Sequence, residues 1–220
     1  MFFCLRIDLD YVPWDTPDAK EFGHGEPAVV LRILELARYT GFKFHFFASN
    51  RVLRAFPAAA DAVLNDGHDL DWFCKHPEVP GARYAEALQE FASLGHSPLG
   101  FALRSAWPES VGPFEGIDQL KFVSGPPGPV PAGLRLFPVE GKPVREVVRT
   151  GMSSRSWADS TKTQLREAAS RNRGLTLVVR PQVLARLDPK LSHLRELLEL
   201  AAAVGMNVRT LREVLAAESG

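Results

Sequence analysis

The sequence predicts an α/β fold in which parallel strands are covered by helices. Three observations carry this expectation. Short β-rich runs alternate with longer amphipathic runs along the whole chain. Leu175 to Val179 is a strongly apolar run broken only by Thr176, the pattern of a strand buried on both faces. Glycines at 41, 67 and 95 follow the apolar stripes at positions suited to ending helices. An open doubly wound sheet and a closed barrel both satisfy this pattern. The one flexible-looking stretch, Gly125 to Gly133, joins two strands, so residues 1–220 are expected to form a single domain.

The elements follow in order. Phe2 to Leu9 reads as the first strand. Pro27 to Tyr39 reads as a helix, with Val30, Ile33, Leu34 and Ala37 on one stripe. In Phe42 to Ala48, Phe42, Phe44 and Phe46 alternate with Lys43 and His45, which predicts a strand. Asn50 reads as the N-cap of a helix reaching about Asn65. Asp69 to Phe73 is a strand, Arg83 to Ser93 a helix, and Leu99 to Leu103 a strand. Leu120 to Ser124 and Leu134 to Pro138 read as short strands. A helix over Ser160 to Arg171, the Leu175 strand, a helix over Leu191 to Val204, a strand over Met206 to Thr210 and a final helix complete the chain. No internal repeat or low-complexity tract is seen.

Lys plus Arg and Asp plus Glu both number 26, so the formal net charge is zero, which argues against a dedicated nucleic-acid binder. The balance is uneven: Lys142 to Arg195 holds twelve Lys or Arg against four Asp or Glu. That excess is either a solvated basic surface or an attraction for an anionic ligand. Cys4 and Cys74 lie in apolar runs, and the expectation is two buried free thiols in a reducing compartment. No apolar run reaches the roughly 18 residues of a membrane helix. No leader pattern opens the chain, so a cytoplasmic protein is expected.

The first strand runs out through Asp8 and Asp10. Side chains at i and i+2 share a strand face, so both carboxylates can point at one spot. Their repulsion there is relieved by a bound cation. The alternative is one Asp in a turn and the other solvated. In parallel architectures ligands gather at the C-terminal strand ends. Those ends carry Asp8, Asp10, Ser49, Asn50, Phe73 to His76, Arg104 to Trp107, Ser124, Glu140 and Arg180.

These pieces, in this order, resemble the polysaccharide deacetylase family (carbohydrate esterase family 4, the nodulation-protein-B homology domain). Leu5-Arg6-Ile7-Asp8-Leu9-Asp10 resembles its first motif, in the D-x-D form of the lipopolysaccharide formyl-sugar deformylases. Gly41-Phe42-Lys43-Phe44-His45-Phe46-Phe47 is similar to its G-x-x-A-T-F-F strand. Gly67-His68-Asp69-Leu70, ending in His76-Pro77, is similar to the stretch that supplies two zinc-binding histidines. Leu103-Arg104-Ser105-Ala106-Trp107-Pro108 resembles F-R-P-P-Y-G. Leu175-Thr176-Leu177-Val178-Val179-Arg180-Pro181 resembles the late L-x-L-H-P strand, and Gly205 to Leu211 the closing motif. The resemblance covers nearly the whole chain and implies a deformed seven-stranded (β/α) barrel.

By resemblance, Asp8 takes the role of catalytic base, Asp10 and His76 those of metal ligands, and Arg104 that of the arginine orienting the base. Trp72, with Asp71 and Phe73 on either side, stands where the family's first metal histidine is expected. Arg180 stands where the family has its general-acid histidine. Arginine does not release a proton near neutral pH, but it can stabilise an oxyanion or bind a carboxylate or phosphate. A hydrolytic zinc site needs about three protein ligands plus water. Asp10 and His76, with Asp71 or Asp8 as the third, would make a carboxylate-rich site for zinc or for the harder manganese or magnesium. The alternative pairs Asp8 or Asp10 with Arg104 or Arg180, and no ion binds.

Trp107 either stacks on a sugar ring or lies in the core. Trp14, with Tyr11 and Asp15, follows the first strand and can shape the same mouth. His24, flanked by glycines, is an outside candidate for a replacement ligand or acid. His45 reads as a satisfied interior histidine, His68 as a surface turn residue, and His96 and His193 as peripheral. A Cys74-x-His76 pair is weak evidence for thiolate ligation.

Two function classes follow. One is a metal-dependent hydrolase that opens an amide or formamide C–N bond of an amino sugar or related substrate, with Asp8 as base. The other is an inactive barrel of the same type that binds an anionic or carbohydrate ligand through Arg104, Arg180 and aromatic side chains. A doubly wound binding domain that merely shares the alternation is a third option. The expected partner is a small-molecule or carbohydrate ligand; oligomeric state is not read from the sequence.

Overall fold

The computed structural model describes residues 1–10, 26–78, 80–109, 111–112, 114–139 and 150–219. The main path of its sheet runs β6-β5-β4-β3-β2-β1-β7, and a short β8 also pairs with β1. The strands are β1 (Phe2–Leu9), β2 (His45–Ala48), β3 (Asp69–Phe73), β4 (Gly100–Ala102), β5 (Phe122–Gly125), β6 (Arg135–Pro138), β7 (Leu175–Val179) and β8 (Asn207–Val208). The helices are α1 (Glu26–Thr40), α2 (Asn50–Ala55), α3 (Pro57–Asn65), α4 (Pro80–Ser93), α5 (Ser154–Ser170), α6 (Pro181–Leu187), α7 (Ser192–Ala203) and α8 (Leu211–Ser219). Every strand therefore falls within or beside a run expected from the sequence. The chain divides into two compact units.

The first unit comprises Met1–Ile7, Val12–His45 and Glu140–Gly220. Here β1 pairs in parallel with β7, Phe3 opposite Leu175 and Ile7 opposite Val179. Parallel pairing brings helices over the sheet, so the strand interiors are apolar: Phe3, Cys4, Leu5 and Ile7 are fully buried. On α1 the expected stripe of Val30, Ile33, Leu34 and Ala37 is buried, and Gly41 ends the helix with φ 72°.

Helix α5 starts earlier than expected because Ser153 caps it, its Oγ accepting from Ser156 N at 3.1 Å. Helix α6 was not foreseen. Pro181 read as the end of a strand, yet proline is equally suited to a helix's first turn, which is where it stands. Helix α8 opens with a reciprocal cap: Thr210 Oγ1 accepts from Glu213 N, and Glu213 Oε2 accepts from Thr210 N. His45 is buried and satisfied, as expected, accepting from Leu211 N at 3.0 Å.

The second unit comprises Asp8–Tyr11 and Phe46–Val139. Strands β3, β4, β5 and β6 pair successively in parallel. The helix expected over Asn50 to Asn65 is two helices. Proline disfavours helical backbone at the residue before it, and Phe56 before Pro57 has φ −137° and ψ 54°. The cap of α2 is Ser49 rather than Asn50, with Ser49 Oγ accepting from Val52 N. His68, expected on the surface, is 7% exposed and lies 5.6 Å from the Phe46 ring.

Gly100 is required where it stands: a Cβ there would lie 2.4 Å from the Phe122 ring on the neighbouring strand. Cys4 and Cys74 are buried and are not joined in a disulfide. Among the described residues no helix is long and apolar enough to cross a membrane.

Candidate functional site at the strand ends of the second unit

The C-terminal ends of β1, β3 and β4 bring three charged side chains together. Asp10 follows β1, Lys75 follows β3 and Arg104 follows β4. Arg104 donates an Nη2–H to Asp10 Oδ2. Lys75 Nζ lies 3.4 Å from Asp10 Oδ1. The Asp10 side chain is only 6% exposed, while those of Lys75 and Arg104 are 40% and 38% exposed. Burying a carboxylate is costly unless cations and donors replace its water, and here one cation meets each oxygen. Arg104 also stands 5.6 Å from the centre of the Phe73 ring.

The backbone fixes this arrangement. Ser49 N donates to Leu9 O, Cys74 N to Ala102 O and Leu103 N to Ser124 O, so pairing continues to the very ends of the strands. Lys75 was not singled out from the sequence. Its signal was its place just past β3, on a strand already expected to deliver groups to the mouth.

Asp8 is 2% exposed and shares the strand face of Asp10 by the period of two. The same period puts Arg6 on that face, a buried charge at 1% exposure that sequence reasoning passed over. Burial does not pick out a reactive thiol next to the site, because it pushes Cys74 up from 9.0 to about 12.

Asp71 is fully buried, and its Oδ1 accepts from the backbone N–H of Leu99 at 2.5 Å and of Gly100 at 3.1 Å. It thus ties β3 to the start of β4. Trp72 is fully buried. Its indole donates to Asn50 Oδ1 at 2.9 Å and packs 5.2 Å from Tyr84, 5.8 Å from Phe101 and 6.4 Å from Phe114. His76 is exposed, its Nδ1 3.0 Å from Glu78 Oε1. The backbone N–H of Glu78 itself and, to a smaller extent, His76 hold the Glu78 carboxyl below its ordinary range.

Trp107 is 6% exposed, donates to Val111 O at 2.9 Å and packs on Phe101 and Phe114. The core alternative for this tryptophan is the one the structure adopts; its ring offers no open stacking face. Arg180 belongs to the first unit, half-buried, where it ends β7 and accepts from Leu184 N at the start of α6. Tyr11, Trp14, Asp15, His24 and Glu140 lie outside the described residues.

A catalytic metal of the kind the fold implies needs three donors around one point. Among the described residues, no three His, Cys, Asp or Glu side chains stand close enough to hold an ion. Asp10 is engaged by two cations, Asp71 by backbone amides and His76 by Glu78. Among the described residues, Asp10, Asp71 and His76 are thus not gathered as one set of metal donors.

No protein-family model matches the chain, and no curated protein matches it. Solved structures do. A polysaccharide-deacetylase-type protein from Mycobacterium smegmatis aligns over 96% of this chain and 87% of its own, with TM-score 0.73 and 15% identity. The PuuE allantoinase aligns over 96% and 88%, with TM-score 0.73 and 12% identity. A carbohydrate esterase family 4 pseudoenzyme from Bacillus anthracis aligns over 97% of this chain and 65% of its own, with TM-score 0.54 and 11% identity. At such identities the likeness establishes the fold alone: the chain has the seven-stranded parallel α/β fold of the deformed barrel type that the polysaccharide deacetylases share.

Proposed function

We propose that this chain is a deacetylase-type barrel that binds an anionic or carbohydrate ligand at its strand ends without the metal-dependent hydrolysis typical of the fold. The observation that carries the reading is the Asp10 carboxylate held between Arg104 and Lys75. A divalent ion would have to displace both cations or sit against them, and like charges at that range repel strongly in a partly buried site. Arg104 and Lys75 keep further N–H donors, since a guanidinium carries five and an ammonium three. Both side chains reach solvent, so a carboxylate or sugar hydroxyl can be received without dismantling the cluster. The pseudoenzyme among the structural neighbours is a precedent for this fold without activity.

A second reading keeps the hydrolase: a metal-activated water opening an amide or formamide bond, with Asp8 as base. It is supported by two buried carboxylates on one strand face, Asp8 and Asp10. Elemental analysis of protein purified with zinc and manganese present separates the two. The binding reading expects no stoichiometric metal and no response to chelator. Near-stoichiometric metal that Asp10→Ala removes, together with release of acetate or formate from an N-acylated amino sugar, would overturn it. Titration with glucuronic acid and with glucose then tests the ligand class, with binding weakened in Arg104→Ala.

A further inference from the structure

A groove in the first unit is lined by helix and turn residues. It has a volume of about 430 Å³ and runs between α1 and the turn that leads into α7. Its rim carries Arg32, Lys190 and Arg195 against one carboxylate, Glu35, while Leu36, Leu191 and Tyr39 supply apolar surface. That volume lies in the range of small-molecule sites, about 300–1,000 Å³, where an apolar surface with a few convergent polar groups is the usual composition. The chain as a whole is neutral, whereas the groove's lining carries three cations against one carboxylate, with Glu199 Oε1, outside the lining, 3.5 Å from Arg195 Nε. Lys190 and Arg195 close the basic stretch that begins at Lys142.

The groove is also pre-shaped. Arg32 donates to Pro189 O, and Arg195 stands 5.8 Å from the centre of the exposed Tyr39 ring. Leu191 is held at φ 54° and ψ 23°, a left-handed conformation unfavourable for leucine. Asp188 enforces it by accepting from Ser192 N at 3.0 Å and from Leu194 N at 2.8 Å. Strain of this kind persists where the surroundings over-determine it, and it clusters at binding sites.

We infer that this groove binds a small organic anion, its acidic head among Arg32, Lys190 and Arg195 and its ring or chain against Leu36, Leu191 and Tyr39. The inference is independent of the function proposed above.

Isothermal titration calorimetry of the full chain at low ionic strength tests it with phenyl phosphate, benzoate, inorganic phosphate and phenol. Saturable one-site binding of phenyl phosphate or benzoate is expected, and the tighter of the two identifies the head group. Lys190→Glu with Arg195→Glu should weaken it at least about tenfold, as should high salt. Tyr39→Ala should weaken phenyl phosphate and leave inorganic phosphate unchanged. Both charge reversals are at exposed positions; circular dichroism checks the fold, and the single Gln variants replace the pair if it fails to fold. No binding of either aromatic anion, equal binding in the charge-reversed protein, or phenol binding as tightly as phenyl phosphate would overturn the inference.

Discussion

Arg104 and Asp10, ninety-four residues apart, form a guanidinium–carboxylate pair just past the ends of β4 and β1, two strands of one sheet with β3 and β2 between them. By resemblance, Arg104 orients the base Asp8 and Asp10 ligates the metal. The structure pairs the arginine with Asp10, the alternative left open by the sequence, with Lys75 on the other oxygen. Removing the arginine leaves a 6%-exposed carboxylate short of a donor. Arg104→Met should therefore destabilise the protein by about 1–3 kcal/mol, at the low end because the guanidinium is partly exposed to solvent. Asp10→Asn combined with Arg104→Met should cost less than the two single changes added together. Urea denaturation of the four proteins measures the coupling, and strict additivity would show that the pair contributes nothing.

Asp71 is expected to behave as a structural residue. Asp71→Ala strands the amides of Leu99 and Gly100, and an unsatisfied buried donor costs about 1–3 kcal/mol. Asp71→Asn keeps an acceptor and should recover most of the loss. Thermal and urea denaturation of the two variants gives the comparison; an Ala variant as stable as the parent would refute this role.

Placing a histidine at Trp72 should not create a metal site. The side chain there is enclosed by Tyr84, Phe101 and Phe114 and bonded to Asn50. Trp72→His should cost about 3–5 kcal/mol, in the range of large-to-small core changes. Metal content after zinc dialysis should not rise. A gain of one zinc per chain would place this position in a metal site after all.

Alkaline pH should weaken the fold through Cys74. Burial raises its thiol from 9.0 to about 12, so the folded state keeps the proton longer than the unfolded chain. Its contribution is fully present below about pH 9 and is lost as pH rises toward 12. Burial also lifts Tyr84, from 10.0 to about 12, which adds to the same loss. Cys74→Ala should flatten the fall in denaturation midpoint between pH 9 and 11, and native Cys74 should resist iodoacetamide at about pH 8. Rapid alkylation without unfolding would contradict the burial.

Much of the fold could be read from local pattern. The β1 and β7 runs, the apolar stripe of α1 and the glycines at 41, 67 and 95 act within a few residues of themselves, and the structure keeps them. Element limits failed where one residue type serves two ends. Pro181 closed a strand in the sequence and opened α6 in the structure, and Pro57 split what read as one helix.

Which carboxylate meets which cation lay beyond the sequence. Asp8, Asp10, Arg104 and Arg180 were visible as charges at strand ends, with pairing to arginine and metal binding both open. A charge is stabilised by whatever the fold brings within a few ångströms, and those neighbours come from distant segments. The chain by itself determined where strands end and which side chains stand there. Tertiary packing alone decided that Asp10 faces Arg104 and Lys75, that Asp71 serves backbone amides and that Trp107 is sealed in the core.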